Sequence, residues 1–387
     1  MKLLTFSLAA LMAMGTVSFA SDTLADAFKN GTFKGELKAY YYDREVGTGA
    51  VEGDIITLGA KLDYETADFY GFKAGLGIQT SNTPWIDEDG KGTFKGDMWG
   101  SGAVLSEAYL SYTMNKTTVK AGRQYIKMPL LKSSGSRLIV QSFEGASVVS
   151  KDIQNTTLMA AYVNKFQNRT DGAGDIADFE TLGANVDYAY ALAVENTSVK
   201  GLKLTAAYGE KDNSYDMFYA EAAYKGKADA LRYSAAAQYS ATDYENATAD
   251  ADYYGLKVGA GMGGLSGYIA YAEVQDGTAK FSVAGGGAKP TIFTTPLIDA
   301  GEYKESEQYA VALEYNFKDL GLILDTRYTN VDYATGTDEG EWMLFRARYA
   351  FKGALKGLSM AAMYEDEDHD IDTQDEKNFW FKTSYKF

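Results

Sequence analysis

Apolar and polar residues alternate with a period of two along almost the whole chain. From Tyr309 to Phe317, for example, every odd position is apolar or aromatic, whereas the even positions include Glu314 and Asn316. Successive side chains of a β-strand point to opposite faces, so this period predicts strands with one apolar and one polar face. We predict eighteen such strands, at residues 33–43, 54–66, 71–80, 103–113, 117–125, 145–151, 156–165, 180–194, 201–209, 215–225, 229–241, 253–260, 265–274, 306–317, 320–330, 341–351, 357–365 and 377–387.

The connections between these strands alternate between short and long. Short connections lie at 67–70, 115–116, 152–155, 226–228, 261–264, 318–319 and 352–356, and long ones at 81–102, 126–144, 166–179, 275–305 and 366–376. One end of the sheet therefore has tight turns and the other has loops, as transmembrane β-barrels do. The 180–194 span is long for one strand, so sixteen strands is the alternative. Because no composition break interrupts the pattern, we expect one barrel domain over residues 21–387.

The final strand indicates what the apolar faces contact. One face carries polar residues, including Lys382, and the other carries Phe379, Phe381, Tyr385 and Phe387. A strand with lipid on one side and water on the other has this pattern, so we predict an all-β fold, a transmembrane antiparallel β-barrel. Phe387 with aromatic residues behind it also resembles the C-terminal signal of Gram-negative outer-membrane barrels, which implies contact with the barrel-insertion machinery.

A soluble two-sheet β-protein is the alternative, because alternation also occurs there. The number of strands without a domain break argues against it. So does the position of aromatic residues near strand ends, where they suit the girdles of a membrane barrel: Tyr64, Tyr112, Tyr208, Tyr224, Tyr239 and Tyr315.

The N-terminus has the pattern of a secretory signal peptide over residues 1–20. Lys2 precedes an apolar stretch from Leu3 to Met14, and small residues lie at Ser18 and Ala20. The apolar stretch is shorter than the roughly 20 residues of a spanning helix, which argues against a membrane anchor. We expect a Gram-negative outer-membrane protein in contact with lipid and lipopolysaccharide, with both termini in the periplasm.

Composition excludes several other classes of protein. The formal net charge of −16 becomes −17 without residues 1–20, which hold one lysine and no acid, and so acidic a chain argues against a nucleic-acid partner. With no cysteine, and with the single histidine, His369, in an acidic loop, we expect neither catalysis nor a cofactor or metal. The acidic run 365–376 suits a solvated loop, with divalent-cation binding as the alternative.

The segment 122–145 is too apolar for a solvated surface loop. Its apolar residues need a surface to pack on, and the inner wall of a wide barrel offers one: Leu130, Leu131, Leu138, Ile139 and Phe143. A barrel of sixteen to eighteen strands leaves an aqueous lumen. We therefore predict that this segment folds inward and narrows the pore.

The same segment resembles the OprD-type family of substrate-specific outer-membrane porins. The matching residues are Met128-Pro129, Ser136-Arg137-Leu138, Gln141 and Phe143-Glu144-Gly145, although Val140 stands where the family often has proline. The resemblance implies passive diffusion of small hydrophilic solutes and a constriction whose arginine, Arg137 here, faces the pore. Lys132 on the same loop is a further candidate.

The resemblance also implies a ladder of basic side chains that guides carboxylate-bearing solutes. Arg346 and Arg348 alternate with apolar residues and should point inward, as should Arg327 and, from the last strand, Lys382. Guanidinium groups stay charged and bind carboxylates bidentately. The alternative is that these arginines pair with wall acids such as Asp325 and Glu314 and only stabilise the lumen, and the direction of Arg123 stays open.

Three functions remain open at this point. A porin that favours small carboxylates is our prediction, and a less selective general porin is the first alternative. A surface adhesion or structural barrel, with a partner bound by long loops such as 275–305, is the second. Acidic loops could also make the pore entrance attract cations, against the proposed preference.

Overall fold

The chain is described here by a computed structural model, which covers residues 22–47, 51–246, 248–285, 292–295, 303–334, 339–370 and 375–387. The predicted signal peptide lies outside these residues. The strands are β1 Thr32–Val46, β2 Val51–Glu65, β3 Phe72–Ile86, β4 Gly102–Met114, β5 Thr117–Gln124, β6 Lys127–Met128, β7 Leu131–Lys132, β8 Ser142–Ser150, β9 Thr156–Gln167, β10 Phe179–Thr181, β11 Ala189–Asn196, β12 Leu202–Lys211, β13 Tyr215–Ala228, β14 Leu231–Tyr244, β15 Ala251–Met262, β16 Leu265–Ala279, β17 Tyr303–Phe317, β18 Leu322–Tyr333, β19 Glu339–Ala350, β20 Leu358–His369 and β21 Glu376–Lys386.

Eighteen of these strands form a closed antiparallel barrel, which confirms the predicted fold class and strand number. Each barrel strand pairs with the next one along the chain, and β1 pairs with β21 to close the sheet. The chain terminus takes part in the closure, because the Phe387 and Gly35 backbones exchange two hydrogen bonds of 2.9 and 3.0 Å. Strands β6 and β7 form a separate hairpin inside the loop after β5.

The region predicted as one strand, 180–194, contains parts of two separate strands, β10 and β11. Both β10 and β11 pair with β9, and residues 182–188 lie between them. This insertion explains why the apolar pattern looked long for one strand. The sixteen-strand alternative is therefore wrong.

The two faces of the barrel wall differ as the alternation predicts. Large apolar side chains cover the outer face, where Leu110 is 65% exposed and Ile269 is 61% exposed. Water does not favour so continuous an apolar surface, whereas lipid does, and this excludes the soluble two-sheet alternative. Aromatic rings contact each other across neighbouring strands on this face, as in Tyr239 and Tyr254, whose centroids are 5.3 Å apart.

The two ends of the barrel also differ. Tight turns at one end use residues that tolerate positive φ, such as Asn115, Asn155 and Asp229. Helix α1, Leu24–Lys29, lies at this short-turn end, where the backbone N–H of Ala67 donates to the Ala27 carbonyl. Helix α2, Gly90–Thr93, lies in a long loop at the other end, and a 3-10 turn covers Gly353–Leu355.

Within the described residues, no helix is both long and apolar enough to cross a membrane.

Candidate functional site: the pore constriction

The loop 126–141 lies inside the barrel and is fixed to its inner wall by side chains. The Gln79 amide donates to the Val140 carbonyl (2.9 Å) and accepts from the Val140 N–H (2.8 Å). Lys38 Nζ donates to the Leu138 carbonyl (2.8 Å), and Lys382 Nζ donates to the Ser136 carbonyl (2.6 Å). These bonds come from β1, β3 and β21 and satisfy backbone groups that would otherwise be buried without partners.

The apolar part of this loop packs on a wall of small side chains. Leu130 and Leu131 are 3% and 0% exposed, in one cluster with inner-wall alanines of β9, β11 and β12. Alanine leaves room between wall and loop that larger residues would fill. Burial of a leucine contributes about 1.5–3 kcal/mol, so the loop prefers the lumen wall to the solvent.

A second segment, 279–285, runs beside the first inside the barrel. The Val283 N–H donates to the Leu130 carbonyl (2.9 Å), and Tyr215 Oη donates to the Ser282 carbonyl (2.9 Å). The described part of the long 275–305 loop therefore contributes to the constriction, which the sequence analysis did not predict. Residues 286–291 of this loop lie outside the described residues.

A third loop, 87–101, contributes a carboxylate that joins two arginines. Asp97 Oδ2 accepts from Arg137 Nε (2.7 Å), and Asp97 Oδ1 accepts from Arg169 Nη1 (2.6 Å). Phe94 and Met98 anchor this loop, being 0% and 2% exposed. Asp97 thus ties together three loops that are far apart in sequence.

Arg137, the predicted pore arginine, is largely covered in this arrangement. Only 8% of its side chain is exposed, and its guanidinium lies 4.2 Å from the Trp380 ring centroid. Lys382 Nζ lies over the same ring at 3.9 Å, so the indole faces two cations. Burial raises the pKa of the Asp97 carboxyl, but the Arg137 and Arg169 guanidiniums outweigh burial and hold that pKa below its ordinary value. Asp97 is therefore ionised at neutral pH.

Arg346 and Arg348 lie on the inward face of β19, where both form ion pairs. Arg346 Nη2 is 3.0 Å from Asp325 Oδ2. Arg348 Nη2 is 2.8 Å from Glu314 Oε2 and 2.9 Å from Asp325 Oδ1. This is the pairing that the stabilising alternative describes, so these two arginines add little net charge to the lumen.

Basic residues line a cavity of about 1300 Å³ at the short-turn end of the lumen. Its lining contains two acidic residues, Glu314 and Asp325, and eight basic ones: Lys200, Lys225, Lys227, Arg232, Lys257, Lys318, Arg327 and Arg346. Lys257 Nζ lies 3.9 Å from the Tyr268 ring centroid. Within the described ranges, neither Lys257 nor Arg327 has a carboxylate within ion-pair distance.

The remaining candidates lie apart from this cavity. Lys132 is half-buried on β7, in the inward loop. Arg123 shares the outward face of β5 with Val119 and forms a salt bridge of 3.1 Å with Glu144, so it does not face the pore. Among the described residues, no group of acidic, histidine or cysteine side chains could hold a metal ion.

Five basic or acidic residues of the lumen were not predicted from the sequence: Asp97, Arg169, Lys38, Lys225 and Lys257. The sequence contained one indication that the loop of Asp97 folds inward. Phe94, Met98 and Trp99 make this loop more apolar than a solvated loop. Lys225 and Lys257 have inward parity on β13 and β15, so the alternation along these strands was a signal that could have identified them. Arg169 had no signal in its sequence context.

A closed barrel of eighteen strands, with inward loops that narrow its lumen, has the architecture of a membrane channel. The family model for "outer membrane porin, OprD family" matches residues 59–385, and the chain belongs to that family. Members of this family are channels for solute uptake across the outer membrane, rather than enzymes.

Solved structures of family members share this fold. A BenF-like porin from Pseudomonas fluorescens Pf-5 has a TM-score of 0.82 at 16% identity, with 93% of this chain and 99% of that chain covered. Acinetobacter baumannii OccAB2 has a TM-score of 0.79 at 22% identity, covering 94% and 99%. Pseudomonas aeruginosa OpdK, solved with vanillate, has a TM-score of 0.78 at 16% identity, covering 93% and 99%. No curated protein matches the chain.

Proposed function

We propose that this porin favours small solutes that carry a carboxylate. The observation that supports this preference is the cavity at the short-turn end, where eight basic side chains face two carboxylates. Both carboxylates are already occupied by Arg346 and Arg348. The unpaired lysine and arginine side chains therefore give this part of the lumen a positive potential that attracts anions.

The constriction adds to the same potential. Arg137 and Arg169 both pair with Asp97, so guanidinium groups outnumber the carboxylate that they share. Guanidinium groups in a narrow, partly dehydrated passage bind a carboxylate more strongly than on an open surface. OpdK, which shares the fold, was solved with vanillate, an aromatic carboxylate.

The orientation in the membrane is part of this proposal. The short-turn end, where helix α1 and Phe387 lie, faces the periplasm, and the long loops face the outside, as in other barrels of this type. Solutes then pass the constriction first and the basic cavity second. The lipid-facing wall contacts lipid and lipopolysaccharide, and Phe387 is the contact for the insertion machinery.

The preference is tested by conductance of residues 21–387 refolded into a planar bilayer. The change in current on adding benzoate is compared with the change on adding benzamide, which has the same ring but no charge. The variant Lys257→Gln with Arg327→Gln removes two unpaired cations from the cavity. We expect benzoate to alter the wild-type current far more than benzamide does, and to alter the variant less.

The matched control is Arg123→Gln with Lys165→Gln, which also removes one arginine and one lysine. Both pair with Glu144 outside the lumen, so this variant should behave as wild type. If the cavity variant and the control respond alike, the general-porin alternative is correct. Absence of conductance in wild type would favour the adhesion or structural alternative, against which the lumen position of 279–285 already argues.

A further inference from the structure

Asp97 occupies the constriction as a bound carboxylate ligand would. Each of its oxygens accepts from a different guanidinium, at 2.7 Å from Arg137 and 2.6 Å from Arg169. Charge-assisted bonds of this length are the strong ones by which arginines recognise carboxylates. The pair of arginines is therefore a formed anion site, and it is filled by the chain itself.

The arginines are also arranged independently of Asp97. Arg169 Nη2 donates to the hydroxyls of Ser134 (3.2 Å) and Ser136 (3.1 Å), while the Arg137 guanidinium rests on Trp380. These contacts position both guanidiniums from the loop 126–141 and the wall. Loss of the Asp97 charge would thus leave an anion site in place, with its cations uncompensated.

We propose that Asp97 is a built-in competitor for solute carboxylates at the Arg137 and Arg169 pair. This inference rests on the proposed carboxylate preference. A second carboxylate that reaches the pair meets the negative charge of Asp97, which repels it and already uses the best donor positions. Asp97 and Arg169 are each about one-sixth exposed, at 16% and 17% of their side chains, so the pair can be approached.

The consequence for transport is fast release. A channel conducts only if a solute binds well enough to enter and weakly enough to leave. Two free guanidiniums beside Lys382 would hold a carboxylate tightly, whereas the competitor keeps its residence short. Asp97 therefore acts as a specificity-determining residue that sets how strongly the constriction attracts anions.

The test compares wild type with Asp97→Asn and Asp97→Glu in planar bilayers. Asparagine keeps the size and an acceptor oxygen but removes the charge, whereas glutamate keeps the charge. The first readout is the reversal potential in a KCl gradient, which does not depend on any preference for carboxylates. We expect Asp97→Asn to shift it towards anions and Asp97→Glu to match wild type.

The second readout is the benzoate concentration that halves the current. We expect it to fall by about tenfold in Asp97→Asn, the scale of the coupling between close charges. An unchanged reversal potential in a conducting Asp97→Asn channel would overturn the proposal, as would a shift towards cations. If benzoate has no more effect than benzamide on wild type while the reversal potential still shifts, the proposed solute preference fails and the charge role of Asp97 stands.

If Asp97→Asn does not fold, a second variant tests the proposal. Arg169→Gln removes one cation and leaves Asp97 paired with Arg137 alone. The reversal potential must then shift towards cations, in the direction opposite to that of Asp97→Asn. No shift in Arg169→Gln would mean that this cluster does not act on the permeating ions, and the proposal would be wrong.

Discussion

Arginine and carboxylate side chains in the lumen compensate one another, so a single substitution changes two charges at once. Around Asp325, two guanidiniums and Glu314 form one network. Removal of one member leaves a partly buried charge without its partner, which costs more than the pair contributes. The effect of a lumen residue on permeation therefore depends on its partner as well as on its own sign.

The first prediction concerns Arg346 and Arg348. Their joint replacement by alanine leaves the carboxylates of Asp325 and Glu314 uncompensated in the cavity. We expect the reversal potential in a KCl gradient to shift towards cations. The complementary variant, Asp325→Asn with Glu314→Gln, should shift it towards anions, and equal shifts in both variants would contradict the network.

Residue parity shows how far the sequence alone could reach at this scale. The alternation around Arg346 and Arg348 correctly placed both on the face opposite Phe345, because side-chain direction in a strand follows from counting residues. It could name Asp325 and Glu314 only as possible partners, since the actual ion pairs depend on the register between neighbouring strands. Asp97 and Arg169 meet only because loops fold inward, and no period in the sequence encodes that contact.

At the scale of the element, strands were predictable and inward loops were only partly so. A strand has a period of two because it separates lipid from water, and eighteen strands follow from that pattern. The loop 126–141 was recognisable because its apolar residues exceed what solvent tolerates. The segment 279–285 has a weaker apolar signal, and its position depends on hydrogen bonds to the Leu130 backbone and from the Tyr215 side chain, which no period in the sequence encodes.

The second prediction concerns the attachment of the loop 126–141. Gln79→Ala removes both hydrogen bonds to Val140 and leaves two backbone groups without these partners. Each lost bond costs about 1–3 kcal/mol, so the loop should move more. We expect larger fluctuations in single-channel current than in wild type. The control is Gln275→Ala, which removes a hydrogen bond to Glu273 on the outer face and should leave the current fluctuations unchanged. Equal noise in the two variants would contradict the role of Gln79.

The third prediction concerns barrel closure between β1 and β21. A Cβ atom at Gly35 would meet the ring of Phe387, which packs on the glycine. Gly35→Ala should displace this ring and destabilise the closing strand pair, by about 1–3 kcal/mol for overpacking. Urea unfolding followed by tryptophan fluorescence measures the change, and Gly92→Ala is the control because no atom lies within 4 Å of its Cβ position. An equal midpoint in both variants would show that the contact does not stabilise closure.

At the scale of the whole molecule, acidic and basic charges are separated. The charge of −17 for residues 21–387 contrasts with the basic lumen. Like charges lie opposite each other on neighbouring strands of the outer wall near the long loops. Asp43 on β1 is opposite Asp54 on β2, and Glu307 on β17 lies between Glu273 and Asp332. With the orientation that we propose, permeating ions meet a negative mouth before a positive passage.

Salt should act on these two regions at different concentrations, and this gives the fourth prediction. The Debye length is about 30 Å at 0.01 M, about 10 Å at 0.1 M and about 3 Å at 1 M. At the lowest salt concentration the outer carboxylates act over the whole mouth and oppose anion entry. At intermediate salt concentrations these carboxylates are screened, and their opposition to anion entry is lost. The lumen charges lie closer to the permeating ion and are screened last, so anion preference should rise with salt before it falls.

Reversal potentials under fourfold KCl gradients, centred on mean concentrations from 0.01 to 1 M, measure this dependence. The Lys257→Gln with Arg327→Gln variant should give a lower anion preference but the same rise, because it changes the passage and not the mouth. A preference that falls steadily from the lowest concentration would mean that the outer carboxylates do not act on the pore. In that case the local lumen charges alone would set the selectivity, and the excess of acidic residues would act only on the membrane and its surroundings.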